Sequence, residues 1–125
     1  MLRFTSDHEW ILVENDCATV GITAYAQEQL GDLVFVQLPK IGTALQAGGV
    51  AAVVESVKAA SEVYAPIDGE VIAINDNVGR DPTLINSDPM NKGWLFKLKV
   101  SKKAQFDSLL DEYSYRSTIN GPPQS

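Results

Sequence analysis

Residues 50–67 read VAAVVESVKAASEVYAPI, two apolar runs that flank a single cation, Lys58. Runs 50–54 and 63–67 are rich in residue types that fit a pleated, half-buried surface, so they predict two strands of a hairpin. Lys58 then lies near the hairpin tip. An accessible amine on a tight turn between small side chains suits covalent attachment better than catalysis, which requires a buried lysine. Position alone leaves open the alternative that Lys58 only keeps the turn solvated.

Glycine and proline recur on both sides of this hairpin at intervals of roughly ten residues, a spacing typical of a small all-β barrel or sandwich. Two similar segments flank the hairpin, GDLVFV at 31–36 and GEVIAI at 69–74. They indicate a pseudo-two-fold sandwich unless their likeness is chance. A short helix is expected over residues 24–30, capped by Thr23 and stopped by Gly31. Further strands are expected at residues 9–14, 18–22, 32–38 and 93–100.

The C-terminal part of the chain predicts one helix and a tail. Ser101 is expected to cap a helix with apolar residues at helical spacing, namely Ala104, Phe106, Leu109, Leu110 and Tyr113. From Arg116 onward the chain has too little apolar surface to bury. We therefore expect a single domain over residues 1–115 and a mobile C-terminal tail over residues 116–125.

The composition fits one domain, because 125 residues that are 45% hydrophobic suffice for a single core. The net charge of -6 disfavours nucleic acid and anionic membranes as partners and favours a partner with a basic docking face. The one cysteine, Cys17, excludes an intramolecular disulfide and fits a reducing compartment. No apolar stretch is long enough to span a membrane, and residues 1–8 lack the apolar core of a signal peptide. We expect a cytoplasmic protein.

Residues 53–66, VVESVKAASEVYAP, resemble the lipoyl-lysine segment of the glycine cleavage H-protein family. Other segments similar to that family, in its order, are residues 8–10, 21–23, 25–32, 34–39, 69–71 and 84–89. The resemblance runs from Phe4 to about Tyr113 and so covers the whole domain. It implies a mainly β fold, the barrel-sandwich hybrid of lipoyl and biotinyl carriers, with a few short helices and a C-terminal helix. It also implies lipoate joined by an amide to Lys58.

The same resemblance implies a shuttle in glycine catabolism. A pyridoxal-phosphate glycine decarboxylase would load an aminomethyl group onto the oxidised arm. An aminomethyltransferase would pass its methylene to tetrahydrofolate, and dihydrolipoyl dehydrogenase would reoxidise the dithiol. A lipoate ligase or a lipoyl/octanoyl transferase would attach the arm. The chain itself would be a non-catalytic carrier, monomeric in isolation, and the lack of an organellar presequence suggests a bacterial source.

Three carboxylates are candidate site residues beside Lys58. The resemblance implies that Glu9 and Glu62 hold the protonated amine of the loaded arm by charge-assisted hydrogen bonds. Ordinary surface charge is the alternative for both. Glu55 precedes the lysine by three residues, where we expect the attaching enzyme to recognise an acidic side chain. The chain lacks metal-ligand spacing and phosphate loops, and we give His8, its only histidine, no catalytic role.

Other functions remain open from the sequence. A biotin carrier would be expected to flank its lysine with methionines, where Val57 and Ala59 stand here. Lipoyl domains of the oxo-acid complexes usually show Asp-Lys-Ala and lack the surroundings formed here by Trp10 and by Asn86-Ser87-Asp88. A closely related protein could serve only as a lipoyl donor to other carriers. In a fourth interpretation the chain is a non-covalent β-sandwich interaction module whose Lys58 stays unmodified.

Overall fold

Two antiparallel sheets form most of the structure, a computed structural model that describes residues 1–120. The strands are β1 (Leu2–Phe4), β2 (Glu9–Glu14), β3 (Cys17–Ile22), β4 (Leu33–Gln37), β5 (Ala44–Leu45), β6 (Val50–Ser56), β7 (Ala60–Tyr64), β8 (Gly69–Ile74) and β9 (Phe96–Val100). The helices are α1 (Ala24–Leu30), α2 (Asp76–Arg80), α3 (Thr83–Ser87), α4 (Lys103–Asp107) and α5 (Glu112–Asn120).

The larger sheet has the strand order β1-β2-β3-β9-β8-β5, and the smaller sheet has the order β4-β6-β7. Both sheets are open, since β1 and β5 are the edges of one and β4 and β7 the edges of the other. The expected mainly β fold with short helices and a C-terminal helix is confirmed. Among the described residues it is a sandwich of two open sheets and not a closed barrel. The segments 31–36 and 69–74 contribute their strands to different sheets.

The core lies between the two sheets. Its fully buried side chains come from both of them and from the loops and helices that close the ends, and include Ile11, Val20, Val54, Ile67, Val71, Ile85, Leu95, Phe96 and Leu98. Burying a side chain of this size stabilises the fold by about 1.5–3 kcal/mol relative to leaving it exposed. The smaller sheet is therefore held firmly against the larger one, and the loops at its end project from a rigid support.

Helix α1 begins and ends as its sequence predicts. The Thr23 hydroxyl accepts a hydrogen bond from the backbone N–H of Ala26 at 3.2 Å, which satisfies one of the unpaired donors at the helix start. Gly31 follows the helix with φ at 82°, a conformation that a side chain would strain. Leu33 then opens β4, so the chain turns sharply from α1 into the smaller sheet.

The prediction of a single C-terminal helix capped by Ser101 is wrong, because the structure has two helices there, α4 and α5. The residue before α4 is Lys102, which makes no side-chain cap. Between the helices, Leu110 and Phe4 exchange two backbone hydrogen bonds of 2.8 and 2.9 Å. This bridge requires extended backbone and so interrupts the helix. Asp111 then accepts a hydrogen bond from the N–H of Ser114 at 2.8 Å and starts α5.

The prediction of a mobile tail from Arg116 onward is wrong for residues 116–120, because these residues belong to α5. The buried ring of Tyr115 stacks on Phe4, with centroids 4.6 Å apart and planes at 7°. Ile119, one turn further along, packs against the same cluster. The helix continues because its apolar face is covered by the first strand of the chain, which no local window of sequence includes. The rest of the expected tail, residues 121–125, lies outside the described residues.

Candidate functional site

Strands β6 and β7 form the predicted hairpin with Lys58 at its tip. Their ladder runs from Val50 opposite Tyr64 to Glu55 opposite Ala60. Lys58 is exposed, and within residues 1–120 its ammonium makes no hydrogen bond or ion pair. The amine is therefore presented to solvent on a well-supported turn, where a reagent can reach it.

Ser56 fixes the conformation of that turn. Its backbone N–H donates to the carbonyl of Ala59 at 2.7 Å. Its hydroxyl oxygen accepts from the N–H groups of Lys58 and Ala59 at 3.3 and 3.1 Å, and the hydroxyl donates to the Ala59 carbonyl at 3.2 Å. One nearly buried side chain thus closes the loop from inside. Ser56 was not predicted from the sequence to have a role, although a serine before a tight turn is a known local signal.

The aliphatic stem of Lys58 lies close to the junction between α1 and β4. A Cβ placed on Gly31 would lie 3.7 Å from Cε of Lys58. Asn86 in α3 braces this junction, since its carbonyl oxygen accepts from the N–H of Leu33 at 2.9 Å. Its amide group donates to the carbonyl of Gly31 at 3.0 Å and to the side-chain oxygen of Gln27 at 2.9 Å. Asn86 falls within a segment that resembles the family, yet sequence alone gave it no role.

Glu9 is buried between the two sheets with only 2% of its surface exposed, so the surface-charge alternative for it is wrong. One carboxylate oxygen accepts from the backbone N–H of Tyr64 at 2.8 Å, and the other accepts from the Thr5 hydroxyl at 2.9 Å. Burial raises the pKa of Glu9 from 4.5 to about 7, against the opposing effect of the two hydrogen bonds. Glu9 therefore joins β2 of one sheet to β7 of the other.

Glu62 and Glu55 lie on the outer side of the hairpin. Glu62 is exposed on β7 and accepts a hydrogen bond from the Tyr64 hydroxyl at 3.3 Å. The charge of Glu62, with this hydrogen bond, raises the pKa of Tyr64. Glu55 is half-buried on β6, between Phe35 on one side and Ala60 on the other. Tyr64 thus contacts Glu9 through its backbone and Glu62 through its hydroxyl.

His8 belongs to a structural cluster away from the hairpin tip. Its Nδ1 lies 2.9 Å from the hydroxyl of Tyr115, and the same hydroxyl lies 2.7 Å from Oγ1 of Thr23. The ring of Tyr25 lies 4.7 Å from the imidazole between centroids. These contacts hold α5 against the start of α1.

Neither a cluster of potential metal ligands nor a membrane-spanning helix occurs within residues 1–120. No group of three or more histidine, cysteine, aspartate or glutamate side chains is arranged to hold a metal ion there. No helix in this part of the chain is long and apolar enough to cross a membrane.

The fold and the site define a class of small β-sandwich domain that presents one exposed lysine on a tight hairpin turn. Residues 2–121 match the sequence profile of the family described as Glycine cleavage H-protein. The chain belongs to this family, and the resemblance drawn from its sequence is confirmed.

Similar proteins are matched over nearly their whole length. The glycine cleavage system H protein of Bartonella quintana (strain Toulouse) is 58% identical over 118 residues, which cover 94% of this chain and 97% of that protein. The glycine cleavage system H protein of Bradyrhizobium diazoefficiens is 56% identical over 114 residues, which cover 91% of this chain and 93% of that protein. The crystal structure of a glycine cleavage system H protein from Mycobacterium marinum matches with a TM-score of 0.83 and 38% identity over 97% of each chain.

Proposed function

We propose that this chain is the lipoyl-bearing carrier of the glycine cleavage system, and that lipoate is joined by an amide to Lys58. The observation that carries the proposal is the exposed, unpaired amine of Lys58 on the turn that Ser56 closes, in a chain that belongs to the H-protein family. A carrier needs an attachment point that enzymes can reach and a body that stays folded during transfer. The hairpin and the core behind it provide both.

The residues around Lys58 fit such a group. Ala59, Ala60 and Ser61 are small, so the hairpin end is narrow enough to approach the opening of a partner's active site. When bound, the lipoyl group supplies the dithiol and disulfide chemistry and the sulfur that carries the aminomethyl group. Tethering to Lys58 raises the effective concentration of the carried group at a partner's site, up to the millimolar range for short flexible links. Acylation also removes the ammonium charge of Lys58.

Glu62 is our candidate for contact with the amine of the loaded arm, because its carboxylate is exposed on the strand that follows the tip. A charge-assisted hydrogen bond there would shield the amine from loss to water. Glu9 has only 2% of its surface exposed, so the arm could contact it only if the residues that cover it moved aside. In our proposal Glu9 acts mainly by holding Tyr64 and β7 in place.

The partners that we propose are the other proteins of the glycine cleavage system and the enzyme that attaches lipoate. They are a pyridoxal-phosphate glycine decarboxylase, an aminomethyltransferase and dihydrolipoyl dehydrogenase, with a lipoate ligase or a lipoyl/octanoyl transferase to attach the arm. Glu55 is proposed to assist recognition by the attaching enzyme. The chain itself is proposed to be a non-catalytic carrier in the bacterial cytoplasm.

Intact mass of the protein purified from a lipoate-replete host tests the attachment, and peptide mapping locates it. We expect one lipoyl adduct, on Lys58. Exchange of glycine with bicarbonate, catalysed by the decarboxylase, tests the role of the loaded carrier. An unmodified protein that still supports glycine breakdown in competent cells would overturn the proposal. A lipoylated protein that is inactive in the exchange would favour a lipoyl donor or another carrier.

A further inference from the structure

Two exposed apolar residues lie beside the strand that leads to Lys58. Val34 and Phe35 are 56% and 49% exposed, although both belong to β4. Neighbouring residues of a regular strand face opposite sides of the sheet. Here a bulge shifts the register, because Leu33 lies opposite Ser56 while Phe35 lies opposite Glu55. The extra residue leaves Val34 outside the ladder, so both side chains face solvent.

A third exposed apolar side chain completes the patch. Val57, between Ser56 and Lys58, is 79% exposed. It is the first residue after β6, whose last two residues, Glu55 and Ser56, lie opposite Phe35 and Leu33 of β4. We call Val34, Phe35 and Val57 the tip patch. Within residues 1–120 none of the three packs into either hydrophobic cluster.

The charges around the tip patch indicate the surface that would cover it. Glu55 stands directly opposite Phe35 in the ladder, and exposed Asp32 precedes β4. On a chain with a net charge of -6, these carboxylates give the patch an acidic rim. An apolar centre with a charged rim is the usual composition of a protein interface. The complementary surface is an apolar pocket surrounded by basic side chains.

The position of the patch distinguishes between the partners of the proposed function. Enzymes that act on the far end of the arm can stay away from the protein surface by the length of the arm. The enzyme that forms the amide must bring its acyl carbon to about 3–3.5 Å from Nζ of Lys58. It therefore has to cover the residues that adjoin the lysine, of which Val57 is the nearest in the chain.

We propose that the tip patch is the docking surface for the acyl-transferring enzyme that modifies Lys58, and that an apolar pocket with a basic rim receives Phe35. This inference rests on the proposed function. In the reaction, Nζ in its neutral form attacks the carbonyl carbon of an activated acyl donor, an acyl adenylate or an acyl thioester. A C–N bond forms while the bond to the adenylate oxygen or the thiol sulfur breaks. The leaving group departs with that electron pair, and the proton from nitrogen passes to a base or to solvent.

The test is steady-state lipoylation of the unmodified full chain by a lipoate ligase with ATP and lipoate. Phe35→Ser removes the centre of the patch without touching the core. Ile72→Ser is the matched control, since Ile72 is also an exposed apolar strand residue, 42% exposed, but lies on β8 of the larger sheet. We expect Phe35→Ser to raise KM for the carrier about tenfold or more with kcat little changed, as for a central interface residue. We expect Ile72→Ser to behave as the wild type.

A second measurement separates this docking surface from that of the decarboxylase. Phe35→Ser is lipoylated to completion with excess ligase and then used in the glycine–bicarbonate exchange, where we expect wild-type rates. Near-ultraviolet circular dichroism checks that both variants are folded. If the wild type is lipoylated and Phe35→Ser shows the same KM, the docking inference is overturned, while the proposed function stands. An equal loss in the exchange assigns the patch to the decarboxylase and overturns our assignment. Failure of the wild type to accept lipoate removes the proposed function, and the inference with it.

Discussion

Lys58 and Glu9 are both ionisable residues expected from the sequence to belong to the site, yet the structure gives them opposite environments. Lys58 stands exposed on a turn, held by hydrogen bonds of its immediate neighbours Ser56 and Ala59. Glu9 is buried between two sheets and bonded to Tyr64, 55 residues away. Local sequence therefore suffices to place the lysine, whereas the glutamate takes its character from residues that only folding brings together.

The largest effect expected is on Lys58. Lys58→Arg keeps the positive charge, but a guanidinium that stays protonated does not form the amide, so we expect complete loss of lipoylation. Because the side chain is exposed, the free energy of unfolding should change by less than about 0.5 kcal/mol. Intact mass after incubation with the ligase measures the first effect, and urea unfolding measures the second. Lys40→Arg, at another exposed lysine, is the control and should be lipoylated fully.

The second largest effect is expected at Glu9, in the way the free energy of unfolding depends on pH. Its pKa is raised from 4.5 to about 7 in the folded chain, so between these values the folded state binds more protons than the unfolded state. The free energy of unfolding should then fall as pH rises through this range, by an amount of the order of 3 kcal/mol for Glu9 alone. Glu9→Gln cannot titrate and can still accept from the Tyr64 N–H.

Denaturant unfolding of the wild type and Glu9→Gln between about pH 5 and 8 measures this difference. The stability of the wild type should decline towards pH 8 relative to the variant. Parallel profiles for the two proteins would show that burial does not perturb Glu9.

The third effect concerns the junction beneath Lys58. Asn86→Ala leaves the N–H of Leu33 and the carbonyl of Gly31 without their partner, so the free energy of unfolding should fall by about 2 kcal/mol. Amide hydrogen exchange at Leu33 should become faster. Asn75→Ala is a matched control, because Asn75 also makes three hydrogen bonds, to Lys92, Trp94 and Asn77, at another part of the fold. Equal protection of Leu33 in all three proteins would contradict the bracing role of Asn86.

The smallest effect is expected at Glu62, the exposed counterpart of Glu9. Glu62→Gln should change the free energy of unfolding by less than about 0.5 kcal/mol, because the side chain is solvated. The pKa of the Tyr64 hydroxyl should fall towards its ordinary value, since the charge of Glu62 is the main cause of its rise. Ultraviolet difference titration against the wild type follows the tyrosine. A large loss of stability would mean that Glu62 is part of the buried network.

Features that depend on neighbouring residues were predictable. Thr23 caps α1, Gly31 ends it, and the apolar runs around Lys58 form the hairpin, each for a reason contained in a few consecutive residues. The prediction for the C-terminal helix was wrong in two respects. Its interruption depends on the bridge from Leu110 to Phe4, and its continuation depends on the stacking of Tyr115 on Phe4.

The candidate site divides in the same way. The sequence located Lys58, Glu55 and Glu62 on one hairpin, but it could not show that Glu9 is buried or that Asn86 braces the junction below the lysine. The Leu33 amide that Asn86 binds is 53 residues away, and no spacing rule connects such positions. The bulge that exposes Val34 and Phe35 was likewise invisible, because the pattern of residues 32–38 fits an ordinary strand.

By itself the sequence determined that a short hairpin carries one accessible amine between small residues, because turn and strand preferences act over a few bonds. Only the tertiary structure decided that the pKa of Glu9 is raised to about 7, because the surroundings that bury it are assembled from strands of two different sheets. It also decided which apolar side chains remain outside the core, because packing between distant segments selects the residues that are covered.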